Sequence, residues 1–285
     1  MSYDTLISVA QLADALLDPK PPLVLDCSFE LTDLSAGQRA YDAGHIPGAL
    51  YVHLEHTLSS EKTGRNGRHP LPTREAFARA MAALGADDDT QVVAYDNAGG
   101  MYAARLWWML RWAGHRAAAV LDGGIAAWQA AGQPVTRDVP AMRAAGHFSL
   151  RAPLVGTIDY EGVRANLALG DKLVLDARAP DRFRGENETL DPVGGHIPAP
   201  RTRLFPDNLG PDGRFKSATQ LRAEFNAITG GRPASQLVGQ CGSGVTACHN
   251  LLALEVAGLR GATLYPGSWS EWCAQPGAPI ATGAA

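Results

Sequence analysis

The chain has 285 residues, 46% of them hydrophobic and 19% charged, with a formal net charge of −4. At roughly 100–200 residues per domain this length implies about two domains, and the composition excludes extended disorder, which needs low hydrophobicity and high net charge. There is no basic excess to hold a polyanion, so no nucleic-acid partner is expected, and four cysteines (Cys27, Cys241, Cys248 and Cys273) are too few for a disulfide scaffold. The first predicted element is a helix: Ser8 is its N-cap, Val9, Leu12, Leu16 and Leu17 share one face, and Pro19 stops it. The opening residues lack the basic and apolar regions of a secretory signal. No run of about 18 apolar residues occurs, so no membrane span or membrane partner is expected. Cytoplasm is the expected compartment, where thiols stay reduced.

Strands are predicted next at Leu23–Leu25, Val92–Ala94 and Ala118–Leu121, separated by amphipathic helical stretches. Residues from about Thr136 to Leu154 have two prolines and no period, which marks a linker. Three further strands are predicted at Leu173–Leu175, Leu237–Val238 and Ala262–Leu264, and Ala281–Ala285 reads as a loose tail. Near-continuous apolar strands alternating with helices indicate a parallel sheet covered on both faces. The fold class is therefore α/β.

The second half repeats the first. LVLDCSF at 23–29 recurs as LVLDARA at 173–179, YDAGHIPGA at 41–49 as VGGHIPAP at 193–200, and AVLDGGIAAW at 119–128 as ATLYPGSWSEW at 262–272. An offset of about 150 residues denotes a duplicated domain rather than a solenoid repeat. The expected organisation is a first domain at 1–138, a linker at 139–156 and a second domain at 157–285. His45 and His196 occupy the repeated HIP motif in both halves, which favours a structural role.

The halves differ where an open α/β sheet places its chemistry, beyond the carboxyl end of a strand. VVAYDNAGG at 92–100 aligns with LVGQCGSGV at 237–245, which sets Asp96 opposite Cys241. One half carries a potential nucleophile and the other a carboxylate, so one domain is read as active and the other as silent. Cys241 opens the loop Cys241-Gly242-Ser243-Gly244-Val245-Thr246 and a helix follows. The loop glycines let successive N–H groups turn inward, and the helix presents free N–H groups and its positive dipole end to the same point. Such a cradle stabilises negative charge on the sulfur, as thiolate or as persulfide.

With CGSGVTA at 241–247, GHIPGA at 44–49 with its second copy at 195–200, and GSWSEW at 267–272, the chain resembles the tandem rhodanese-like sulfurtransferases over nearly its whole length. The resemblance implies two rhodanese-like domains, of which only the second is catalytic. It also implies a ping-pong reaction without a cofactor: a small-molecule donor passes a sulfane sulfur to Cys241, and cyanide, a small thiol or thioredoxin removes it. The loop is similar to that of 3-mercaptopyruvate sulfurtransferases, because Gly242 and Ser243 are neutral where thiosulfate-preferring relatives carry basic residues. Thiosulfate:cyanide sulfur transfer is the alternative. A proton relay implied by the resemblance would join Ser243 to His69, in GRHPLP, and to Glu55, in VHLEH, where the family commonly has Asp. Donor binding is implied for Arg182 together with the loop residues Gly242, Gly244, Val245 and Thr246. The family's second arginine, nine positions after Arg182, is here Asp191, so Arg184 or Arg201 is expected to compensate.

The rival readings are weaker. A cysteine phosphatase needs an arginine six positions after the nucleophile to grip a tetrahedral dianion, and that position is Ala247. A non-catalytic sulfur-carrier or binding module would not need Cys241, Ser243 and the loop glycines together. Cys27, Cys248 and Cys273 read as structural, and no Cys/His spacing fits a zinc site. Trp107, Trp108 and Trp112 have core spacing, Trp269 and Trp272 frame a turn, and Asp87–Asp89 reads as a solvated loop.

Overall fold

The structure is a computed structural model that describes residues 2–284. It contains two five-stranded sheets, parallel throughout. In the first half the strands are β1 (Leu6–Ile7), β2 (Leu23–Asp26), β3 (Leu50–Tyr51), β4 (Val92–Tyr95) and β5 (Ala118–Leu121), in spatial order β1-β5-β4-β2-β3. The helices are α1 (Val9–Ala15), α2 (Ala36–Ala43), α3 (Arg74–Ala83), α4 (Ala103–Trp112) and α5 (Gly124–Ala130). The second half repeats this with β6 (Gly156–Thr157), β7 (Leu173–Asp176), β8 (Arg201–Thr202), β9 (Leu237–Gln240) and β10 (Thr263–Leu264), in the matching order β6-β10-β9-β7-β8. Its helices are α6 (Tyr160–Leu169), α7 (Pro180–Arg184), α8 (Ala218–Thr229), α9 (Thr246–Val256) and α10 (Ser268–Trp272). Both central pairs hold the same register: Leu23 lies opposite Val92, and Leu173 opposite Leu237.

The sheets are covered on both faces, which is why their strands are apolar without alternation. Every residue of β2, β4, β5 and β9 is buried. The HIP histidines do the same work twice. His45 stacks on Tyr41 and bonds its carbonyl at 2.9 Å, while His196 stacks on Phe183 and bonds that carbonyl at 2.8 Å.

Several expectations change. α1 has its Ser8 capping box with Gln11, but it ends at Leu16, so Leu17 lies past the last turn and is 85% exposed. The compact units are not contiguous: one comprises residues 1–60, 72–154 and 211–215, the other 61–71, 155–210 and 216–285. The segment expected as a linker is packed on the first unit. Asp87 accepts the His147 N–H at 2.7 Å, Asp88 accepts the Ser149 N–H at 2.6 Å, and the Gly146 N–H reaches the Ala82 carbonyl. The acidic run stays solvated, with Asp87 and Asp89 exposed, and two of its carboxylates also anchor this strap. Ala281, expected in a loose tail, exchanges two backbone hydrogen bonds with His196; Ala285 lies outside the described residues. Trp269 and Trp272 are fully buried in the second core with Val163, Val174, Ile197 and Val238, so they are packing residues.

Candidate active site

The site of the second unit is built where β9 ends. Cys241 follows Gln240 directly, is 2% exposed, and begins the loop that feeds α9. The turn 265–270 supports this loop from below. The Ser268 hydroxyl accepts the Cys241 N–H at 3.1 Å, the Trp269 N–H donates to the Cys241 carbonyl, and the Ser270 N–H donates to the Gly242 carbonyl, both at 2.9 Å. Gly244 is left-handed at φ +75°, and a Cβ there would lie 2.3 Å from the Pro266 carbonyl oxygen. Only glycine fits this conformation and space. The resulting turn aims the Gly244 N–H at Cys241 Sγ, 3.2 Å away.

The aligned loop of the first unit shows what such a backbone arrangement holds. Asp96, 1% exposed, accepts the N–H groups of Ala98, Gly100, Tyr102 and Ala103 at 2.8–2.9 Å. The carboxylate fills the cradle from within, so no external anion is needed there. In the second unit a sulfur occupies the aligned position.

Ser243 and His69, paired in the sequence analysis only through the family resemblance, lie side by side. Ser243 Oγ lies 2.7 Å from His69 Nδ1, and both side chains are buried. His69 comes from the segment 61–71, which packs within the second unit. That segment is pinned by the Arg68 N–H on Ser270 Oγ at 2.9 Å and by Gln275 Nε2 on the Arg65 carbonyl at 2.8 Å. At Gly67, φ +86° and a hypothetical Cβ 2.9 Å from the Gly267 carbonyl oxygen allow this close approach. Glu55, half-buried, belongs to the first unit, where its N–H donates to His53 Nδ1. Val245 is buried at the helix N-cap position and Thr246 is half-buried as the first residue of α9.

The arginines rearrange the expected donor site. Arg182 faces the loop, but Glu188 grips its Nε and Nη2 at 2.8–3.2 Å, and Asp191 accepts Nη2 at 3.2 Å. Arg184 is turned elsewhere: its guanidinium pairs with Glu186 at 2.7 Å and is 37% exposed, because it lies at the open end of the one-turn helix α7. Arg201 bonds the Pro200 carbonyl. Neither compensates at the loop. Arg68 does reach it: a Cβ on Gly242 would meet Arg68 Nη2 at 2.9 Å and Arg182 Nη1 and Nη2 at 3.6 and 3.7 Å. The only sequence signal for Arg68 is its place beside His69. Burial pushes the Asp191 carboxyl up, while Arg68 and Arg182 pull it down. Burial also pushes Glu188 up, but the hydrogen bonds from Arg182 and from the Leu190 and Asp191 N–H groups outweigh it and leave Glu188 low.

Two of the other cysteines sit in environments that keep them as thiols. Burial, with Asp26 and Asp96 nearby, pushes the Cys27 thiol well up. Burial pushes Cys273 up to about 11. Cys248, fully buried in α9, donates its S–H to the Gly244 carbonyl at 3.3 Å. Among the described residues there is no cluster of His, Cys, Asp and Glu able to hold a metal ion, and no helix is long and apolar enough to cross a membrane.

A rhodanese-like domain model matches residues 8–131. The chain is 48% identical over 285 residues to a Pseudomonas aeruginosa protein named a probable 3-mercaptopyruvate sulfurtransferase, covering 99% of this chain and 100% of that one. It is 36% identical to the thiosulfate sulfurtransferase of Bos taurus, covering 95% and 92%. Among solved structures, SseA from Escherichia coli, described with the rhodanese fold of 3-mercaptopyruvate sulfotransferases, superposes with a TM-score of 0.79 at 29% identity, covering 94% and 99%.

Proposed function

Because the chain belongs to the rhodanese-like sulfurtransferases, we propose that it moves a sulfane sulfur from 3-mercaptopyruvate to a thiol or cyanide through a persulfide on Cys241. The observation that carries this reading is the Gly244 N–H aimed at Cys241 Sγ, with the Ser243–His69 pair in the same loop. The Cys241 thiolate attacks the donor sulfur and an S–S bond forms. The donor C–S bond breaks, and its electron pair goes to the carbon of the pyruvate enolate. Ser243 and His69 supply the proton that turns this enolate into pyruvate. An acceptor then attacks the outer sulfur, and the Cys241 thiolate leaves. The backbone cradle stabilises the anion at each stage without reorganising.

Ser243 favours mercaptopyruvate over thiosulfate as donor, since the sulfite released from thiosulfate needs no proton on carbon. A cytoplasmic location belongs to the same reading, because a persulfide cycle needs a thiol-reducing compartment. The test is mass spectrometry with steady-state kinetics on both donors. After incubation with mercaptopyruvate, Cys241 gains one sulfur, about 32 Da, and cyanide removes it. Cys241→Ser abolishes turnover while the melting temperature is kept. Turnover that survives this substitution refutes the assignment, and faster turnover with thiosulfate reassigns the donor. No adduct with any donor points to a binding module.

A further inference from the structure

We propose that Arg68 is the second donor-binding cation of this site, positioned by Asp191; the inference rests on the sulfur-transfer reading above. Position 191, nine residues after Arg182, carries an acid. In the structure this acid is not idle. Its carboxylate is 4% exposed and lies between two guanidinium groups: Oδ1 accepts Arg68 Nη1 at 2.5 Å and Oδ2 accepts Arg182 Nη2 at 3.2 Å. Each arginine therefore gives one nitrogen to Asp191 and keeps another for the loop. Arg68 Nη2 and Arg182 Nη1 are the guanidinium atoms nearest a Cβ built on Gly242, one residue from the nucleophile.

A structural ion pair accounts for Arg68 Nη1. It does not account for the rest of the side chain. Arg68 Nε is buried without a hydrogen-bond partner, and Nη2 makes no hydrogen bond among the described residues. An unpaired buried donor on a charged group is costly, and a guanidinium fork matches a carboxylate. A donor carboxylate above Gly242 would engage Arg68 Nη2 together with Arg182 Nη1. The placement is rigid at the backbone, since the Arg68 N–H is held by Ser270 Oγ, next to the N–H groups that support Cys241 and Gly242. Arg68 thus supplies a second cation at the loop, and the acid at 191 holds it in place.

The test compares Arg68→Gln, Asp191→Asn and the double variant Arg68→Gln with Asp191→Arg against the parent, with 3-mercaptopyruvate as donor and neutral iodoacetamide as an uncharged probe of Cys241 reactivity. Losing one charge-assisted contact to a carboxylate raises KM about 10- to 100-fold in Arg68→Gln, with kcat changed less than about threefold. Asp191→Asn raises KM less. The double variant restores KM to within about fivefold of the parent, which a merely structural ion pair would not do. Alkylation of Cys241 by iodoacetamide, in which an S–C bond forms and iodide leaves, stays within about threefold of the parent in all three variants. A KM for Arg68→Gln within twofold of the parent overturns the role of Arg68. A double variant no better than Arg68→Gln overturns the exchange between positions 68 and 191. Should Arg68→Gln fail to fold, Arg68→Lys, which keeps the charge and loses the fork, carries the same comparison. If the parent loads Cys241 from no donor, the sulfur-transfer reading fails instead.

Discussion

Gly244→Ala is the sharpest probe of the cradle. The added Cβ would lie 2.3 Å from the Pro266 carbonyl oxygen, about 1 Å short of ordinary contact, and at φ +75°. The left-handed conformation alone costs roughly 1–2 kcal/mol for a residue with a Cβ. Pro266 belongs to the turn that carries Ser268, so the loop and not the turn must yield. A shift of about 1 Å stretches the 3.2 Å contact from the Gly244 N–H to Cys241 Sγ beyond hydrogen-bonding reach. A hydrogen bond to a charged acceptor contributes roughly 1.5–3 kcal/mol, so sulfur loading slows about 10- to 150-fold. The assay is single-turnover persulfide formation on Cys241 followed by mass, alongside a thermal melt. Stability falls by roughly 2–4 °C for each kcal/mol of strain. A variant that melts lower but loads sulfur within threefold of the parent would refute the claim that this N–H stabilises the sulfur anion.

Three further outcomes are expected. Ser243→Ala slows turnover with mercaptopyruvate more than with thiosulfate, because only the former leaves a carbanion to be protonated; equal losses with both donors in steady-state assays count against the Ser243–His69 relay. Asp96→Ala orphans four N–H groups in the first unit, three of them buried, which costs at least about 3 kcal/mol in denaturant unfolding; a loss under about 1 kcal/mol would mean that this loop does not need its carboxylate. Glu188 lies below its usual value of 4.5 in the folded protein, so its contribution is present above that pH and is lost as pH falls through the lowered value. Glu188→Gln therefore melts below the parent near neutral pH, and the gap closes in acid. Parallel melting curves across the acid range contradict this.

The sequence alone determined the duplication and the parallel α/β architecture, and it singled out Cys241 as the candidate nucleophile. These features are local or repeated: strands show as apolar runs, and the Cys-Gly-Ser-Gly loop directly after one of them has few physical readings besides an anion cradle. The alignment of Asp96 with Cys241 also came from the repeat, and the four N–H groups on Asp96 give that difference its physical meaning. His69 beside Ser243 was legible only through resemblance, since 174 residues separate them. Arg68 was not legible. Its neighbours are ordinary loop residues, and its role depends on Asp191, which lies 123 residues away and had read as a missing arginine. Arg184 and Arg201 were nearer along the chain, yet one turn of helix and an edge strand direct them elsewhere. The packing of Asp87 and Asp88 against the strap was hidden for the same reason. Charge partners are chosen in three dimensions, because a buried carboxylate takes whichever donors the fold brings to it. The sequence marks the acids and the bases, and only the tertiary structure assigns the pairs.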